Sequence, residues 1–363
     1  MEFHLRNLKR RLGNSSGKAV LSMPQKALVK RANARPKLGL VGYFGWGNFG
    51  DELFLEAHHQ YLGQDFDLTV ANDLTVAPYF SRPVQELVDE VDGFVIGGGD
   101  LVNPVAVSSL YWREEYLQKP TFVYGIGVPS TKRRKKEAII AYRKFMNHPN
   151  CKLVVARDRE SYEWLRDNLQ LGDKLHWYPD PVCALSRPAP KPQGDGKTLG
   201  VVMREHRSLN ENMEHLKKMI AEARNNGYQI KHLVLATKEL GSLDLARAQT
   251  LVEEGDELIH SESLHDLMSE IGACSMLATI KFHGMVVATM YGVPSIAMSV
   301  TPKNRNFLKM IERGEMLASY LSPELYKRVS FYPARIPNAV RYQLQRDAKK
   351  GYALLSKSIK NEL

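Results

Sequence analysis

The chain has 363 residues, 44% of them apolar and 25% charged, enough to bury two cores of ordinary size. No window reaches the roughly 18 uninterrupted apolar residues of a bilayer-spanning helix, and Met1–Arg11 carries charge without a following apolar core of signal-peptide length, so a cytoplasmic protein is expected. Cys151, Cys183 and Cys274 are widely separated, which excludes a zinc pattern or a disulfide framework and predicts reduced, half-buried thiols.

The net charge of +10 is concentrated at the start. Residues 1–37 hold ten Lys/Arg against the single acid Glu2, leaving the rest of the chain close to neutral. Phe3, Leu5, Leu8 and Leu12 recur there at roughly helical spacing among basic residues. Two readings stand open, a short helix on an anionic membrane surface and a basic tail without a partner. Nucleic acid is set aside, because no base-reading module and no interleaved aromatics accompany the charge.

From Lys37 the chain alternates. An apolar run closed by glycines, Lys37–Phe44, precedes a helical face of Phe49, Leu53, Ala57 and Tyr61 within 48–61. Strands are expected at 67–71, 93–96, 121–125 and 153–156, with helices at 132–147 and 159–169. His58 and His59 lie on the first helix and are expected to be solvated. Residues 187–196 hold three prolines and two glycines and cannot sustain an element, so a linker is placed at 188–197. The alternation then restarts, with strands at 198–203, 231–236, 276–280 and 295–300 and helices at 210–225, 244–253, 263–271 and 283–291. A charged terminal helix is expected from Asn338 to Leu363.

This pattern predicts an α/β protein of two Rossmann-like domains facing a cleft: a leader at 1–37, an N-terminal domain at 38–187, a C-terminal domain at 198–320 and a helical tail at 321–363. Ligands of open α/β sheets bind at the carboxyl ends of the strands.

Five motifs sit at such strand ends. Gly45, Gly47 and Gly50 match G-x-G-x-x-G, with Asn48 between them and Asp73 a candidate distal acid. Asp51 and Glu52 in the first helical turn would repel a pyrophosphate, so a tight turn and helix start is the preferred reading over dinucleotide binding. Gly97, Gly98 and Gly99, followed by Asp100, end a second strand and share a rim with the first cluster. Arg204 follows a strand and suits a carboxylate or phosphate, although a surface pair with Glu205 or Glu211 is equally open. Lys281 and His283 flank a helix start, and Lys303 and Arg305 follow the next strand, so that with Arg204 they outline an anion pocket. His176, His206 and His260 have no evident role, and no P-loop, H-E-x-x-H helix or nucleophile elbow occurs.

In order, Y-F-G-W-G-N-F-G-D-E, G-G-G, A-R-D-R-E-S-Y-E-W-L at 156–165, Y-P-D-P at 178–181, K-F-H-G-M-V-V-A-T-M-Y-G-V-P-S-I-A at 281–297 and T-P-K-N-R-N-F at 301–307 resemble the motif series of polysaccharide pyruvyl transferases, over about residues 38–310. The resemblance implies a GT-B-like fold and transfer of a pyruvyl group from phosphoenolpyruvate to two hydroxyls of a saccharide in surface polysaccharide biosynthesis. It implies no cofactor and no metal. The partners it implies are phosphoenolpyruvate as co-substrate and a saccharide or lipid-linked oligosaccharide acceptor; the basic leader, on its own charge pattern, would dock a cytoplasmic enzyme to the inner face of the membrane.

By position, the family's Arg-x-His falls on Lys281 and His283 and its D-P-K on Thr301, Pro302 and Lys303. Arg204, Lys281, Lys303 and Arg305 would hold the donor, while the acceptor rim would be Gly45, Gly47, Asn48, Gly50 and Gly97 to Asp100. His283 would serve as general acid or phosphate ligand, and Asp51 would orient or deprotonate the acceptor hydroxyl. Two departures stand out: Lys281 replaces Arg, losing bidentate geometry, and Asp100 replaces a fourth glycine. A GT-B glycosyltransferase using a nucleotide sugar and a non-catalytic saccharide- or membrane-surface-binding protein are the competing readings.

Overall fold

The computed structural model describes residues 35–71, 83–129, 133–192, 196–205, 213–331 and 334–363. The expectations placed on residues 1–34, Asp73, His206 and Glu211 lie outside the described residues.

The first half is a sheet of β1 (Lys37–Val41), β2 (Asp67–Val70), β3 (Gly93–Gly99), β4 (Thr121–Ile126), β5 (Cys151–Ala156) and β6 (Leu175–Trp177). Their order is β2-β1-β3-β4-β5-β6, with every pairing parallel. Helices α1 (Phe49–Leu62), α2 (Val84–Glu90), α3 (Lys136–Met146) and α4 (Arg159–Leu169) connect them. The second half orders β7 (Lys197–Val202), β8 (Tyr228–Val234), β9 (Glu257–His260), β10 (Met276–Thr279) and β11 (Ser295–Ala297) as β11-β10-β7-β8-β9, again all parallel. Its helices are α5 (Glu214–Asn225), α6 (Lys238–Gln249), α7 (Leu264–Ala273) and α8 (Phe282–Tyr291). Then come α9 (Pro302–Met310), α10 (Lys327–Phe331) and α11 (Asn338–Glu362).

The central strands are nearly uninterrupted runs of buried residues, Thr121–Ile126 being buried throughout, as strands covered on both faces must be. The edges read differently. β6 and β9 are short and part-exposed, with His176 and Trp177 on one and Glu257 and His260 on the other, so neither carries the apolar signature of a strand. Helix α6 begins six residues before the expected start at 244. Gly241 discourages a helix on propensity, yet a Cβ there would lie 2.7 Å from the carbonyl oxygen of Ala236, so its absence lets the helix pack against the end of β8.

One apolar cluster runs from Leu38, Phe54 and Tyr124 through Leu277 and Met285 to Tyr352 and Ile359, and so belongs to both halves. Separate clusters cover the outer faces of the first sheet, around Phe94 and Trp164, and of the second, around Leu216 and Ile230. Helix α11 returns to the first half, where Tyr352 stacks on Tyr61 at 4.5 Å between ring centroids.

His58, expected in solvent, is buried beneath that helix, and its Nδ1 lies 3.3 Å from the Tyr352 hydroxyl. Burial, with the neighbouring His59 adding to it, pushes its pKa down to about 3, so the ring is neutral. His59 is exposed, as expected. The three thiols are free but fully buried rather than half-buried, because each lies at a sheet or helix face inside the core.

A Cβ at Gly351 would meet the Tyr124 hydroxyl at 2.8 Å and the Tyr178 ring at 3.0 Å. Gly351→Ala should therefore lower unfolding free energy by about 1–3 kcal/mol in denaturant titration, although alanine is the better helix former by ~1 kcal/mol.

Candidate active site

Strand order fixes where the site falls. From β1 the chain moves outward to β2 and then returns to β3 on the other side of β1. From β7 it moves out through β8 to β9 and returns to β10 on the other side of β7. Crevices open at such reversals, outside the carboxyl ends of the strands. The loops there carry Gly45 to Asp51, Gly97 to Asp100, Arg204, and Lys281 to His283.

At the first reversal Asn48 caps α1, its Oδ1 accepting from Gly50 N at 3.2 Å. Glu52 Oε1 accepts from Gly45 N (2.9 Å) and Gly47 N (3.0 Å). The turn's N–H groups are therefore satisfied by the chain's own carboxylate, which argues against a pyrophosphate cradle. A Cβ on Gly99 would lie 3.6 Å from Asp51 Oδ1, so the two glycine clusters do form one rim.

Asp100, at the end of β3, pairs with Arg157 at the end of β5. Arg157 also reaches Asp180 (3.3 Å), whose Oδ1 accepts from Val182 N, and its guanidinium lies 4.9 Å from the Phe282 ring centroid. Arg157 and Asp180 side chains are 2% and 1% exposed. Neither was among the candidates read from sequence, although both lie in the motif series, in A-R-D-R-E and Y-P-D-P.

At the second reversal Lys281 caps α8, and its Nζ lies 2.5 Å from Asp244 Oδ2. Asp244 Oδ1 accepts from Glu205 N (2.7 Å), and Glu205 pairs with Arg247 (2.7 Å). The alternative pairing of Arg204 with Glu205 is thus not formed, and Arg204 Nε is buried without an acceptor. Lys303, on α9, stands 3.6 Å from Asp100 Oδ2. Arg305, on the same helix, is exposed and makes none of these contacts.

His283 bridges the halves. Its Nε2 lies 3.5 Å from Asp180, its ring meets the Phe54 ring edge-on at 5.6 Å, and Nδ1 faces Gly50, where a Cβ would approach to 1.7 Å. The rims also touch through Thr237 N to Gly47 O (2.8 Å), Lys238 Nζ to Gly45 O (2.9 Å) and Asn306 Nδ2 to Asp158 Oδ1 (3.1 Å).

The expected pocket of cations is therefore a mixed cluster. Lys281, Lys303 and His283 each have a carboxylate close by; Arg157 and Arg204 both have a buried Nε without a partner, but Arg157 is paired through its other nitrogens with Asp100 and Asp180. Burial pushes Asp51 up to about 8, against the pull of Lys303 and Arg157 and with help from Glu52 and Asp100. Burial lowers His283, which Asp180 opposes and Arg157 and Lys303 reinforce. Burial would raise Asp180, but His283, Arg157 and the Val182 N–H hold it below the usual range. These shifts favour a protonated Asp51, a neutral imidazole and an ionised Asp180 near neutral pH, the reverse of the roles expected from sequence, in which His283 supplies the proton and Asp51 takes one. Among the described residues no group of three or more His, Cys, Asp or Glu converges as a metal set would, and no helix is long and apolar enough to cross a membrane.

Two parallel α/β sheets meeting at their carboxyl edges are the GT-B arrangement, and solved structures agree. The UDP co-structure of MnaA from S. aureus superposes with a TM-score of 0.59 at 10% identity, over 90% of this chain and 96% of that one. HepE from Anabaena in complex with UDP-glucose gives 0.55 at 12% identity, over 90% and 100%. A putative UDP-N-acetylglucosamine 2-epimerase from Listeria monocytogenes gives 0.54 at 12%, over 88% and 94%. At these identities the likeness is one of fold. No curated protein matches the sequence. Residues 48–302 match the family model of polysaccharide pyruvyl transferases, and the chain belongs to that family.

Proposed function

We propose that the protein transfers the pyruvyl group of phosphoenolpyruvate to two hydroxyls of a saccharide, forming a cyclic ketal and releasing phosphate. The observation that carries the reading is Arg204, a guanidinium with a buried, unpaired Nε beside Lys281 at the start of α8. Its nearest carboxylate, Asp244, is already paired with Lys281, so a half-buried guanidinium with an unmatched N–H is a site for a further anion.

In this scheme Arg204 and Lys281 bind the donor, and Lys303 steadies its second anionic group. Asp51, the proton-bearing acid, protonates the methylene carbon so that C2 becomes electrophilic. Neutral His283 takes the proton of the attacking hydroxyl. The C2–O bond to phosphate then breaks as the second hydroxyl closes the ketal. Counting both additions, one hydroxyl proton is balanced by the new methyl hydrogen and the other by phosphate. The scheme requires neither metal nor bound cofactor. The basic leader would hold the enzyme at an anionic cytoplasmic membrane surface, near a lipid-linked acceptor.

Phosphate release from phosphoenolpyruvate with a panel of saccharides tests this reading. Absence of release across a broad panel, together with a thermal shift produced by UDP- or GDP-sugars and not by phosphoenolpyruvate, would replace it with nucleotide-sugar transfer. Arg204→Met should raise the KM for phosphoenolpyruvate about 10- to 100-fold, the loss of one charge-assisted hydrogen bond, with a smaller change in kcat.

A further inference from the structure

We infer that Asp180 is a positioning residue for the reaction: from the turn after β6 its Oδ2 stands 3.5 Å from Nε2 of His283, a buried nitrogen with no other partner, and so favours the tautomer protonated there, leaving Nδ1 as the basic nitrogen on the Gly50–Asp51 side. The inference deepens the proposed function and rests on it for the role of His283. Asp180 cannot wander, because it is fully buried, takes the Val182 N–H on Oδ1 and faces both Arg157 and His283 with Oδ2. Arg157 in turn is shared with Asp100, which faces Lys303. A single buried guanidinium thus links the imidazole's partner in the first half to the donor-side lysine in the second. A carboxylate beside one imidazole nitrogen favours the tautomer protonated there, leaving the other nitrogen's lone pair free.

Besides Asp180, the charged and titratable groups around His283 are Asp51, Arg157, Lys303 and Lys281. Helix α1 faces it with Gly50 and Phe54, next to Asp51. Asp180 stands on the turn after β6, Arg157 at the end of β5, Lys303 on α9 and Lys281 on its own helix. Arg157 and Lys303 can only donate.

The test is nitrogen NMR of the full chain labelled at its histidine side chains, with the His283 signals identified by their loss in His283→Gln. In the wild type, neutral His283 should be the Nε2–H tautomer. In Asp180→Asn the amide NH2 can turn to Nε2, because Arg157 prefers the amide oxygen. The tautomer should then switch to Nδ1–H and the midpoint of titration should fall further, since an anion that favoured imidazolium is gone. Phosphate release should drop about 100-fold or more in kcat, as when a histidine's orienting carboxylate is neutralised, with the KM for phosphoenolpyruvate changed less than about threefold.

An Nδ1–H tautomer in the wild type overturns the inference, as does a folded Asp180→Asn with unchanged tautomer and midpoint. If that variant does not fold, the wild-type tautomer alone decides. Should the wild type release no phosphate with any acceptor, the proposed function fails, while the imidazole measurement still reports on Asp180.

Discussion

Gly50→Ala is expected to reduce turnover by about 100-fold or more, the usual consequence of displacing a reacting group by an ångström. Its effect on the helix alone should be the reverse, because alanine is favoured over glycine in α1 by ~1 kcal/mol. The sign is set by the opposite half: the new Cβ would lie 1.7 Å from Nδ1 of His283 and 2.4 Å from its Cγ. The ring cannot swing aside cheaply, since Phe54 and Phe282 pack against it at 5.6 and 4.8 Å between centroids. Steady-state phosphate release and thermal unfolding measured together check this. A variant with full activity would show that His283 does not work from the position it holds against Gly50.

Asp51→Asn should lose about 100- to 10,000-fold in turnover, the range for a general acid, and yet gain stability at alkaline pH. The sign follows from proton binding. Folding raises the Asp51 pKa from an ordinary carboxylate value to about 8, so between roughly pH 4 and pH 8 the native state holds a proton that the unfolded chain has released. Raising the pH across that window favours unfolding, and the penalty is complete above pH 8. Asparagine carries no such penalty. The variant should match the wild type near pH 4 and exceed it by a few kcal/mol, on the order of one for each pKa unit, at pH 8.5. Denaturant titrations at the two pH values are the measurement. Equal stability at pH 8.5 would mean that Asp51 is ionised in the native protein.

Much of the fold is legible in the chain because alternating apolar runs and amphipathic stretches are local signals, and α4 and α11 are found within a residue of their expected bounds. The edge strands β6 and β9 are not, since pairing on one side leaves them free to be polar. The site divides along the same line. Its glycines and cations fall at strand ends and can be read from short stretches of sequence. Their partners cannot. Asp244 reads as a helix-start acid until α6 is known to begin at Lys238, which places Asp244 in the second turn facing Lys281. Asp180 and Arg157 meet across a separation of 23 residues, and Asp180 meets His283 only when the two halves close on each other. The cluster is read as cationic from sequence because charge signs are visible there and distances are not.

Helix α11 gives the molecule an order of assembly as well as a shape. Tyr352, Leu355 and Ile359 complete the same apolar cluster as Leu38 and Leu53. During synthesis the earliest sheet therefore leaves the ribosome with its inner face unfinished, and it stays so while the whole second half is made. Neither half is finished until this last helix has been made.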